Sequence, residues 1–558
     1  MTENHTKQHQ SPHFEIKYPA MILFTSFVIM LIFDQLTWER QLGLQFLLMT
    51  LLVLVGLSLL IFIEKKPVPW MSYLLLVPII LSAAMTIFRK EAGTSFFNVI
   101  LSLFSLALLA ITLLNGAWMR YRIRDWLMGI LRLIQSALMD PIQMMVKQRR
   151  SSSESSLETK GSTKDKLMPY LRGVLIALPL LLLLGGLLAS ADMIFKDRLS
   201  NLFHGLNFEN FGELIWRGTY ILILGYLLGG AYIHALTRST TYNALTPDKP
   251  FIKPFLGHVE AFTVLGLVNL LFLGFIIIQF RYFFAGETNI SLQGFTYAEY
   301  ARRGFFELVA VAVISLGLYY TLSMVTKRAQ PIAKRFFSVL GLLLMLQVGI
   351  LLISAFQRLS LYEAAYGFTT LRTITHIFMI WLGVLLAVVV LMEVFDQFRR
   401  LAFILILIFF GFTLTLNLLN VDRFIAQRNI EHAIAGNPLD VRYLVWNLSD
   451  DGVPVLFDAY SSEETSNETK EALFATLACR YAVRKNNKED KTWVEWHFSK
   501  SRSDVLFEQN SAELEAYPFN KRIESFSYLE NGFENTDTIS NYFIIVNGEE
   551  VWCWSENN

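Results

Sequence analysis

Between Tyr18 and Leu419 the chain is a succession of long apolar blocks separated by short polar interruptions. A hydrocarbon core about 30 Å thick is crossed by about 20 residues of helix rising about 1.5 Å each, and block after block reaches roughly that length. The pattern predicts spans at Tyr18 to Phe33, Leu44 to Ile63, Val68 to Phe88, Ser95 to Trp118, Leu171 to Ala191, Leu214 to Leu236, Val259 to Phe280, Phe305 to Val325, Phe336 to Phe356, Thr373 to Phe395 and Leu401 to Leu419. That is about eleven transmembrane helices, where a soluble core would demand no single repeated length. The polar stretch 1–17 precedes a block without a small-x-small cleavage site, so the first block reads as an anchor helix and not a cleaved signal peptide.

The interruptions carry the orientation, because Lys and Arg are retained on the cytoplasmic side. With the N-terminus inside, the inner loops include Glu64-Lys65-Lys66, Arg120 to Tyr170, Arg238 to Lys253, Lys327 to Arg335 and Arg399-Arg400. Together with the N-terminus they hold about 23 Lys and Arg, against about 10 on the opposite loops. An odd number of spans then places everything after Leu419 outside. The longest interruption opens with an amphipathic stretch in which Trp126, Leu127, Ile130, Leu131, Leu133 and Ile134 alternate with Arg124, Arg132 and, further on, Lys147, a pattern suited to anionic lipid headgroups. Its Ser-rich continuation from Ser151 reads as a disordered linker.

After the last span, Glu471 to Val483 repeats apolar residues at helical spacing, and Tyr542 to Trp554 alternates around Asn547-Gly548, the dipeptide of a two-residue hairpin turn. The expected fold is therefore an all-α polytopic membrane helical bundle with a small C-terminal extracytoplasmic α+β domain. It divides into a cytoplasmic N-terminus (1–17), a four-helix membrane part (18–118), a basic cytoplasmic loop and linker (119–170), a seven-helix membrane part (171–419) and an acidic outer domain (420–558).

The overall charge of +1 conceals an asymmetry. The tail has about 24 acidic against about 13 basic residues, and the rest of the chain is correspondingly basic. The two cysteines, Cys479 and Cys553, both lie in the tail, where an oxidising exterior would join them in a disulfide; two buried unpaired thiols fit equally well. Their spacing fits no metal motif.

No phosphate-binding loop, dinucleotide glycine fingerprint, HExxH helix or GxSxG elbow occurs, which excludes the best-marked enzyme classes and favours a role without catalysis, cofactor, metal or nucleic acid. The richest constellation precedes the span at Phe305. There Glu299, Arg303 and Glu307 share one helical face, with Tyr300 alongside and Arg302 within reach of Glu299. A second precedes the span at Thr373, where Tyr362, Tyr366 and Thr369 form a stripe beside Gly367 and Arg372. Carboxylates, guanidiniums and phenols at one depth suit a polar headgroup or a zwitterionic solute; equally, they pair with one another and only tie helix entrances together. Within the spans, Asn115, His234, Glu260, Asn269, Gln279, Gln347, His376, Glu393 and Asn417 read as interhelical hydrogen-bond partners, with an ion path through Glu260, Asn269 and Gln279 as the alternative. Gly225-Tyr-Leu-Leu-Gly229 would permit close helix packing.

The stretch Ala298 to Leu308 resembles the signature of a bacterial membrane family, the domain of unknown function forty-one seventy-three, related to forty-one fifty-three. Tyr366-Gly367-Phe368-Thr369 with Arg372 resembles its second block. Asn420 to Asn429, Asp440 to Leu444 and Leu448 to Pro454 resemble the segment after its last span. The resemblance runs from about Leu171 to Leu456. It implies a multispanning protein of the bacterial cytoplasmic membrane and transfers no catalytic residue. All three blocks fall on the outer side, so Glu299, Arg302, Tyr366, Arg372, Arg428 and Asn429 are expected to converge there.

Three functions follow. The first is an envelope binding or signalling component that recognises a headgroup, a wall precursor or a protein through this outer cluster. The second is a secondary transporter for a small polar solute. The weakest is a lipid-directed enzyme with Glu299 or Glu307 as base. Outer placement predicts that Ser291→Cys is labelled by an impermeant thiol reagent on intact cells, and labelling only after permeabilisation would remove the convergence.

Overall fold

The computed structural model describes residues 16–155, 211–239, 254–283, 304–327, 330–486, 492–530 and 533–557, with a few isolated positions between 181 and 192. Among them, ten helical stretches are long and apolar enough to cross a membrane, and the chain is a multi-pass membrane protein with a small C-terminal α+β domain. The expected span Leu171 to Ala191 falls almost wholly outside the described residues. The chain divides into two compact units, Met1–Ile80 with Leu103–Thr246, and Leu81–Ser102 with Pro247–Asn558.

The first unit holds α1 (Pro19–Thr37), α2 (Leu44–Glu64), the short α3 (Trp70–Tyr73), the start of α4 (Leu76–Phe88), the end of α5 (Ala92–Thr112), and α6 (Ile123–Ser155) and α7 (Phe211–Thr237). Glu64, at the end of α2, accepts hydrogen bonds from the backbone N–H of Lys17 and Tyr18 at 2.9–3.1 Å and so satisfies donors at the start of α1. At the other end of α1, Asp34 pairs with Arg217 of α7 at 2.5 Å. Between these points Gly225 and Gly229 face α1 so closely that a Cβ would stand 2.5 Å from the Phe27 ring and 2.8 Å from Leu23. The small-xxx-small motif is thus a working contact, since only absent side chains let two backbones approach this far.

Asn115, just after α5, donates to the Ser239 carbonyl just after α7, whereas the start of α7 meets the end of α1. The Ser-rich stretch at Ser151 departs from expectation: α6 runs unbroken through Ser155, where a linker was expected. Leu127, Leu131, Ile134, Leu138 and Ile142 form an exposed apolar stripe along it, while Ser136 and Asp140 are buried.

The second unit contains the tips of α4 and α5 and the spans α8 (His258–Phe283), α9 (Phe305–Val325), α10 (Pro331–Tyr366), α11 (Thr370–Val394) and α12 (Leu401–Leu419). With 36 residues, α10 is about 54 Å long. A core of about 30 Å starting near Phe336 ends near Phe356, so the last ten residues project about 15 Å beyond it.

The tail begins directly with α13 (Val421–Ile434), α14 (Val441–Trp446), α15 (Val453–Ser461), α16 (Asn467–Asn486), α17 (Phe498–Gln509) and α18 (Ser511–Glu515). It ends in an antiparallel sheet of β1 (Asn520–Glu530), β2 (Phe533–Val546) and β3 (Glu549–Asn557), ordered β1-β2-β3. Val546 pairs with Glu549, leaving Asn547 and Gly548 at φ of 53° and 79°, the left-handed pair that a tight hairpin requires. The tail core is continuous with the last spans, for Leu444, Leu473, Val551 and the disulfide Cys479–Cys553 belong to one buried cluster with Ile377, Phe412 and Leu416.

A bridge spanning 74 residues removes about 4 kcal/mol of unfolded-chain entropy. Replacing both cysteines by serine should lower tail stability by about that amount under oxidising conditions, read as the urea midpoint for tail proteolysis; an unchanged midpoint would exclude the bond.

Candidate functional site

Two helix-hairpin tips of the second unit are fastened to the tail, and both fastenings use the residues around Asp422 and Asp451. The first tip joins α10 to α11. Gly367, at φ +74°, ends α10 because its turn admits no side chain: a Cβ there would stand 2.8 Å from Asn429 Oδ1. Asn429, on α13, accepts from the Phe368 N–H at 2.7 Å and donates to the Phe368 carbonyl at 2.9 Å. The Thr370 N–H donates to the Tyr443 hydroxyl at 2.8 Å, and Ala364 O lies 2.8 Å from His432 Nε2. On the solvent side, Arg372 stacks 4.1 Å over the Tyr362 ring and donates to the Gly367 carbonyl at 2.5 Å, with Tyr366 exposed beside it. Beneath, the buried Glu363 lies 2.8 Å from His376 Nδ1.

The second tip, Arg89-Lys90-Glu91, joins α4 to α5. Glu91 is buried and accepts from the Gly93 and Thr94 N–H groups at 2.5 Å, capping α5. Lys90 Nζ reaches Asp450 at 3.0 Å, and its N–H donates to Asp451 at 2.9 Å. Arg89 lies 3.5 Å from Asp451 and donates to the Asn417 carbonyl in the last turn of α12 at 2.9 Å. Asn417 and Asn98 exchange amide hydrogen bonds at 2.8 and 3.1 Å within the bundle.

Asp450 also receives Arg484 at 2.5 Å and Arg480 at 3.6 Å. Arg480 donates to the Leu444 and Leu448 carbonyls at 2.7 Å each, satisfying acceptors at the end of α14. Burial pushes the Asp450 carboxyl up, but Arg484, Lys90 and Arg480 outweigh it and hold it at about 2. Asp422 is the opposite case. Burial pushes it up to about 7 although the Ser449 hydrogen bond favours its charged form, and Glu91 and Asp451 add like charge. Its Oδ2 accepts from Ser449 N–H at 2.6 Å, and Thr370 Oγ1 lies 3.4 Å from Oδ1.

Of the residues singled out from the sequence, Tyr362, Tyr366, Arg372 and Asn429 meet around Gly367. Arg428 turns away, pairing at the surface with Glu431 at 2.9 Å and lying over Phe424 at 5.3 Å. Glu307 stands exposed in the first turn of α9, and Glu299, Tyr300, Arg302 and Arg303 lie outside the described residues. Arg358 of α10 comes within 2.8 Å of where a Cβ of Gly304 would stand, so it reaches the start of α9. Within the spans, Asn269 donates to the Leu340 carbonyl, Gln347 to the Asn269 carbonyl and Gln279 to Ser354, binding α8 to α10, while Glu260 is exposed near the start of α8.

Sequence reasoning missed Arg89, Lys90, Glu91, Arg480 and Arg484, and quoted Asp422, Tyr443, Asp450 and Asp451 without a role. One signal was present: Arg89-Lys90 places two cations in a loop expected outside, against the charge rule, and so calls for counter-charge. The family model that matches covers residues 76–459 and is described as Domain of unknown function (DUF4153), the second of the two related families resembled. It begins before Leu171 and takes in the Arg89-Lys90-Glu91 tip together with Asp450 and Asp451. No curated protein and no solved structure matches the chain.

Asp422 titrates near 3.8 when unfolded and near 7 when folded, so the folded state keeps a proton that the unfolded state releases. Its contribution therefore falls as pH rises from about 4 to about 7 and is level above, a loss of about 4 kcal/mol at most. Asp422→Asn retains an acceptor for Ser449 N–H and should flatten that slope in melting temperature against pH; parallel profiles for variant and wild type would contradict it.

Proposed function

The chain belongs to the family Domain of unknown function (DUF4153), and we propose that it is a binding or signalling component of the bacterial envelope, set in the cytoplasmic membrane with its N-terminus inside and its tail outside. The observation that supports this reading most is the fastening of the tail over the α10–α11 tip through Asn429, Tyr443 and His432. A domain held this way gives a stationary outer surface, on which Arg372, stacked on Tyr362 and flanked by exposed Tyr366, presents a guanidinium beyond the hydrocarbon edge. Such a group suits a phosphate or carboxylate, so the recognised chemistry is an anionic or zwitterionic headgroup.

A secondary transporter for a small polar solute is the second reading. Against it, Asn269, Gln279 and Gln347 are engaged between α8 and α10, and α8 to α12 are each continuous, whereas transport sites are typically lined by interrupted helices. The exposed apolar stripe of α6, with Arg124 and Arg132 on the same helix, is a candidate contact for anionic lipids.

The test is lipid and metabolite mass spectrometry on purified wild type and on Arg372→Gln, with melting temperature as the folding control. Depletion of one co-purifying species from a folded variant is the expected result. An identical profile would leave Arg372 as a structural tie only.

A further inference from the structure

Trp493, Trp496 and Phe498 form an aromatic edge on the tail, at the turn Trp493–Glu495 and the first residue of α17, and they are 69%, 46% and 50% exposed. Three large rings left in water along six residues need a partner, because contiguous exposed apolar surface marks an interaction site. The partner is indicated by what the edge touches. The Phe498 ring lies 5.9 Å from that of Phe88, and the Trp496 ring lies 6.5 Å from Phe498.

Phe88 is the last residue of the membrane span Trp70–Phe88 and is itself exposed. The end of a span defines the level where acyl chains give way to headgroups, and a ring packed against it lies at that level too. Indole favours this boundary, with an apolar body for the chains and an N–H for the wet side. One turn beyond Phe498, Arg502 is exposed on the same helical face, placing a cation where headgroup phosphates lie.

We propose that this edge of the C-terminal domain is seated in the bilayer itself, at the boundary between headgroups and acyl chains, so that the domain rests on the lipid surface as well as on the helix tips. The site is independent of the Arg372 cluster.

The experiment uses the full chain in nanodiscs of phosphatidylethanolamine and phosphatidylglycerol. An environment-sensitive fluorophore is attached through Trp496→Cys or, separately, Phe498→Cys; the native cysteines are bonded to each other and buried. Both substitutions are at the surface, and matching elution with wild type verifies the fold. Several-fold stronger quenching by nitroxides on shallow acyl carbons than by iodide in the buffer is expected at both positions. Quenching by iodide and not by lipid would overturn the proposal, and so would shielding from both, which would assign the edge to a protein partner or a second copy.

Discussion

A carboxylate withdrawn from water is tolerated only when cations replace the lost hydration, and Asp450 is surrounded by three of them. Lys90 comes from a membrane hairpin tip and Arg480 and Arg484 from α16, with Asp451 and Arg89 alongside. The three arginines are occupied elsewhere as well, Arg480 on the carbonyls ending α14, Arg484 on Asp504 and Arg89 on the last turn of α12. Removing Asp450 would leave the buried Arg480 without its carboxylate, a penalty of about 3–5 kcal/mol. The tail is therefore an extension of the bundle, as the buried cluster shared by Leu444 and Leu416 also indicates.

The second fastening works by neutral hydrogen bonds. Asn429 closes a two-way bond with Phe368 that only a turn without a Cβ at Gly367 permits. Because α10 outruns the membrane by about three turns, this junction sits clear of the hydrocarbon, where polar partners are affordable. Asp422 lies between the two fastenings, and its raised pKa reflects the same exclusion of water.

Much of the architecture was legible because each feature depends on local repetition. Span lengths follow from the hydrocarbon thickness, the Asn547-Gly548 turn from the left-handed φ that those two residues tolerate, and α16 from helical spacing. Other features were misread for the same reason. Local composition at Ser151 suggested a linker, yet α6 continues through it. The site was legible only in part: Tyr362, Tyr366 and Arg372 are close in sequence, and one helical turn and a short loop bring them together.

Sequence alone determined which segments are long and apolar enough to enter the membrane, and the acidic and basic division between tail and bundle, since each is a property of consecutive residues in a known solvent. Tertiary structure alone decided that Lys90 meets Asp450 across 360 residues, that Arg428 turns away from the cluster it was expected to join, and that Phe498 lies against the end of a span. Pairing between distant residues depends on which helix ends share a face of the membrane and how closely they pack, and nothing in the local pattern of the chain encodes that distance.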